Sequence, residues 1–83
     1  MRTGKEIKNQ IEERFKGSFE IKIEDIETAK LLVIFSKNGI ITDFEMNYIS
    51  DLARKEGLMY YVSFLETMQK LYIAFKLNET LES

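Results

Sequence analysis

The sequence predicts an α+β fold: two helices and an antiparallel-rich sheet of four to five strands, in the order α-β-β-(short β)-α-β-β. Three observations lead there. Two Thr-x-x-Glu segments have capping-box spacing, a single glycine follows each helical pattern, and the apolar period drops to two between and after those patterns.

Thr3 and Glu6 open the first helix, because a threonine hydroxyl can take the amide three residues on while the glutamate reaches back. Ile7, Ile11 and Phe15 form its one apolar stripe, and Gly17 stands where a left-handed C-terminal cap is wanted. So narrow a stripe predicts a peripheral helix.

From Phe19 the pattern alternates, with Phe19, Ile21 and Ile23 against Glu20, Lys22 and Glu24, as in a strand buried on one face. The acidic run Glu24 to Glu27, with Thr28, reads as the following turn. Lys30 to Phe35 is apolar without alternation, which predicts a strand covered on both faces. Asn38-Gly39 is a type I′ turn signal, and Ile40 and Ile41 would make the short additional strand.

Thr42 and Glu45 repeat the capping box and start a second helix at about Asp43, ending at Glu56 before Gly57; Ile41 and Met46 have the spacing of a hydrophobic staple. Phe44, Tyr48, Ile49, Leu52 and Ala53 give it a wide apolar arc, so it should press into the core. A hairpin follows, Leu58 to Leu65 and Lys70 to Leu77, and the polar tail from Asn78 to Ser83 should fray.

These elements compose one domain over residues 1–83: a peripheral helix over 1–17, a ββαββ core over 18–77 and a tail over 78–83. The second helix is expected on one sheet face and the first on the other face or along the edge. An alternative arrangement makes the first and last strands parallel neighbours. A shift of forty positions superposes Arg14 on Arg54, Gly17 on Gly57, Leu31 on Leu71 and Phe35 on Phe75, as a duplicated αββ unit would.

Composition narrows function by exclusion. With no histidine and no cysteine, Ser-His and Cys-His mechanisms, disulfides and the usual zinc sites are unavailable. The four glycines stand singly, so no phosphate-cradling loop exists. Glu24, Asp25 and Glu27 could in principle ligate a hard cation, but their spacing matches no calcium loop, and a solvated acidic turn is the expectation. No enzymatic activity, cofactor or metal is therefore expected.

The longest apolar run, Leu31 to Phe35, is far below the ~20 residues a membrane helix needs, and the chain starts with no apolar signal core, so a soluble cytoplasmic protein is expected. Net charge is −2 and the pI is near 5.2, which disfavours phosphate unless a local patch supplies cations. Tyr60, Tyr61, Lys70, Tyr72 and Lys76 on the last hairpin, with Arg54 and Lys55 at the helix end, are the candidate binding residues. Their apolar surplus points to a protein partner, including a homodimer, in a regulatory or inhibitory role. The same aromatic and cationic types would also suit a single-stranded nucleic-acid or transcription-related platform.

Overall fold

In a computed structural model, which describes residues 3–27 and 29–77, the chain runs α1 (Gly4–Arg14), β1 (Phe19–Ile26), β2 (Ala29–Ser36), α2 (Asp43–Lys55), β3 (Met59–Leu65) and β4 (Lys70–Leu77). The expected α+β class and element order are present, with four strands. The tail from Asn78 onward and Thr28 lie outside the described residues.

Both capping boxes form. The Thr3 and Thr42 hydroxyls accept from the Glu6 and Glu45 amides at 3.2 and 3.1 Å, and each glutamate returns the bond at 2.9 Å. The second helix closes through a left-handed Gly57 (φ +70°), with Leu58 N–H donating to the Ala53 carbonyl and Gly57 N–H to that of Arg54.

All strand pairs are antiparallel, and the order across the sheet is β1-β2-β4-β3. The first and last strands are therefore not neighbours, which removes the parallel alternative. Strand β4 lies inside the sheet, whereas β3 is the outer strand.

Register sets the faces. Phe19, Ile21, Leu32, Ile34, Ile73, Phe75 and Tyr60 share one side, and all of them join Ile7, Ile11, Ile49, Leu52 and Ala53 in or against one core. Both helices therefore cover the same face, and the expected opposite or edge position for the first helix is corrected. Its stripe is narrow yet completely used, since Ile7 and Ile11 are 1% and 0% exposed. Phe15 then meets Tyr48 of α2 edge-on, with ring centroids 5.2 Å apart, and Gln10 Nε2 donates to the Tyr48 hydroxyl at 2.9 Å. The helices close the layer on each other as well as on the sheet.

Two local expectations change. Strand β1 continues through Glu24 to Ile26, where Ile26 pairs with Ala29, so the acidic run is strand and the tight turn begins at Glu27 (φ 55°). Asn38-Gly39 is not a type I′ hairpin, because only Gly39 has positive φ (+86°). Instead Asn38 Oδ1 accepts from the Ile40 amide at 3.2 Å, and the buried Ser36 hydroxyl donates within this loop, to the Ile40 carbonyl or to Asn38 Oδ1. That turns the chain into α2, and Ile40 and Ile41 form no strand.

No helix of the described residues is long and apolar enough to cross a membrane. The forty-residue shift also fails as a packing repeat. It would carry Leu31 and Phe35, on the uncovered face, onto Leu71 and Phe75, on the helix-covered face.

Candidate protein-binding face

Both helices sit on one side, and among the described residues no element covers the other side of the sheet. Register assigns to it Glu20, Lys22, Glu24 and Ile26 of β1, Leu31, Val33 and Phe35 of β2, Tyr72, Ala74 and Lys76 of β4, and Met59, Tyr61, Ser63 and Leu65 of β3. Strand β2 was expected to be covered on both faces. Among the described residues its apolar run is instead buried by helices on one side and by neighbouring side chains alone on the other.

Those side chains form an aromatic row across three strands. Phe35 and Tyr72 have ring centroids 5.7 Å apart, Tyr72 and Tyr61 6.2 Å apart, and Lys22 Nζ lies 5.9 Å from the centre of the Phe35 ring. The row closes over Val33 and Phe35, which are 5% and 8% exposed, while Tyr61 at its end stays half exposed. Beside it, Ile26, Leu31 and Leu65 join Glu24, Tyr61 and Tyr72 around a shallow depression of about 190 Å³. That is below the ~300 Å³ where small-molecule pockets begin, so the geometry suits a projecting side chain better than an enclosed ligand.

The cations on this face are partly offset. Lys22 and Lys70 both reach Glu20, at 3.6 and 3.7 Å, and Lys70 does so across the width of β2. Pairs this exposed contribute little to stability, but they keep the rim from presenting a uniform positive field.

Tyr61, Lys70, Tyr72 and Lys76 thus come together as one surface. The other three candidate residues do not. Tyr60 faces the helices, with its ring 6.3 Å from that of Phe75, and Arg54 and Lys55 sit at the exposed end of α2, where Arg54 pairs with Asp51. Phe35, Val33, Leu31 and Lys22 are the members that sequence reasoning missed. Their signal was the unbroken apolar run of β2 set against too little helical surface to cover it twice.

Glu24 and Asp25 are adjacent on β1 and so point to opposite faces. Among the described residues no group of three or more carboxylate, histidine or cysteine side chains is arranged to hold a metal ion. Comparison with known proteins finds no matching family model, no matching curated protein and no matching solved structure.

Burial raises the Tyr61 phenol above its ordinary pKa near 10, and the neighbouring Tyr72 adds to the shift through its charge when ionised and its hydroxyl. The folded chain therefore keeps this proton longer than the unfolded chain does. Its contribution to stability is present below the unfolded pKa and is lost as pH rises from ~10 through the folded value. In an ultraviolet absorbance titration, Tyr72→Phe is expected to move the Tyr61 transition toward lower pH; an unmoved curve would separate the two rings.

Proposed function

We propose that this chain is a non-enzymatic protein-binding module, acting in the cytoplasm in a regulatory or inhibitory role, and that it binds through the uncovered sheet face. The aromatic row Phe35–Tyr72–Tyr61, on the face opposite the two described helices, is the observation that carries this reading. A rigid, largely apolar strip beside a shallow depression and rimmed by charge has the layout of a binding hot spot. The absence of histidine and cysteine from the chain supports a binding role over catalysis. Self-association as a homodimer, through the sheet's face or its edge, is part of the proposal.

The nucleic-acid alternative has weaker support, because Lys22 and Lys70 already meet Glu20 while Arg54 and Lys55 lie elsewhere. Salt separates the two. Capture from the native host at ~1 M salt, where the Debye length is about 3 Å, is expected to retain a protein partner, whereas phosphate contacts would be lost. Tyr72→Ala should weaken the retained complex on the order of 30-fold, as loss of a central aromatic does. A partner that dissociates steeply with salt, or one indifferent to both Tyr72→Ala and Tyr61→Ala, would overturn the reading.

A further inference from the structure

We infer that the outer strand β3 is a homodimerisation edge, pairing antiparallel with β3 of a second copy to make one continuous eight-stranded sheet. This rests on the reading of the chain as a protein-binding module, but it uses the edge of β3, which shares only Tyr61 with the aromatic row.

The two edges of the sheet are built differently. On β1, four of eight residues are charged: Glu20, Lys22, Glu24 and Asp25. Charge on an edge is how sheets resist unwanted pairing, because an incoming strand would have to desolvate it. Strand β3 reads Met-Tyr-Tyr-Val-Ser-Phe-Leu, seven residues with no charge, glycine or proline, and among the described residues it pairs with β4 alone. Among the described residues, nine large hydrophobic side chains are exposed, and four of them are Met59, Tyr61, Val62 and Phe64 of this one strand. They are exposed on both sheet faces, so neither the helices nor a partner on the uncovered face would cover them all. A strand added at the edge touches both faces at once.

Strand β3 is also self-complementary. A twofold axis perpendicular to the sheet at Val62 sets Val62 opposite its own copy. It brings Tyr60 opposite Phe64 of the second copy, Tyr61 opposite Ser63 and Met59 opposite Leu65. Each pair keeps its parity, so helix-face residues meet helix-face residues and both helical layers stay on one side. No charge opposes a like charge in the strand. Pairing β3 with the β1 of another copy would instead leave free edges and propagate, and the charged β1 disfavours it. The twofold solution closes.

Light scattering on the full chain tests this directly. The expected mass is twice 9.8 kDa, falling to 9.8 kDa in Val62→Lys, which sets two ammonium groups against each other at the axis. Val62 is 47% exposed in the single chain, so the lysine meets no packing obstacle there. Phe64→Lys, at another exposed β3 position, repeats the test should the first variant fail to fold. Asp25→Thr on the opposite edge should leave the doubled mass unchanged. A wild-type monomer at the highest soluble concentration would overturn the inference, as would a dimer that survives both β3 lysines. Tyr72→Ala should lose the partner of the uncovered face and keep the doubled mass, while Val62→Lys should do the reverse, so the two readings fail separately.

Discussion

Phe75→Ala is expected to lower folding stability by about 3–5 kcal/mol, a large part of the roughly 4–12 kcal/mol that a chain of this size holds. Phe75 is completely buried on the inner strand β4, between Leu32 of β2 and Tyr60 of β3, so its ring touches both halves of the sheet under the helical layer. Such a site cannot collapse around the missing ring without moving two ladders. The cost therefore includes the cavity as well as the lost transfer free energy. A urea titration would show the midpoint falling with little change in slope, or no folded baseline at all. A loss under about 1 kcal/mol would mean that β4 is not at the centre of the core.

Ile11→Ala is expected to cost about 2–5 kcal/mol, as much as the same change at Ile49 of α2. Both side chains are 0% exposed and belong to one core. A helix merely laid on the surface would give a far smaller loss at Ile11 than at Ile49. The comparison of the two variants by denaturation thus measures whether α1 is part of the fold's cooperative unit. Equal losses would also explain how so short an apolar stripe is held: each of its three members is buried, and none is spent on solvent.

Much of the chain was legible from local signals. Thr3 with Glu6 and Thr42 with Glu45 marked helix starts because a capping box is complete within four residues, and Gly57 marked a helix end because few residues tolerate its left-handed φ. Lys70 to Leu77 was readable to its last residue, since alternation is a property of the strand itself. Asn38-Gly39 misled for an instructive reason. The dipeptide reports a turn, but the Asn38 side chain bonds its own loop and the chain leaves into a helix, so the turn joins no hairpin.

The candidate site divides along the same line. An apolar surplus on the sheet could be inferred from β2, and Tyr61, Lys70, Tyr72 and Lys76 could be named. Tyr60 and Tyr61 could be assigned to opposite faces by parity alone. Which of those faces was left uncovered could not. That depended on both helices choosing the same side, a choice made by contacts such as Phe15 with Tyr48, thirty-three positions apart.

What the sequence by itself determined is the two helices and four main strands, their order, most of their ends and the alternation of β1 and β4, because capping, periodicity and turn chemistry act between residues a few positions apart. Only the tertiary structure decided that β4 inserts between β2 and β3, that β3 rather than the last strand is the edge, and that α1 and α2 cover the same face of the sheet. Those choices are made by pairings such as Ile34 with Ile73, where loop closure and the burial of shared apolar area select among arrangements that satisfy the local signals equally well.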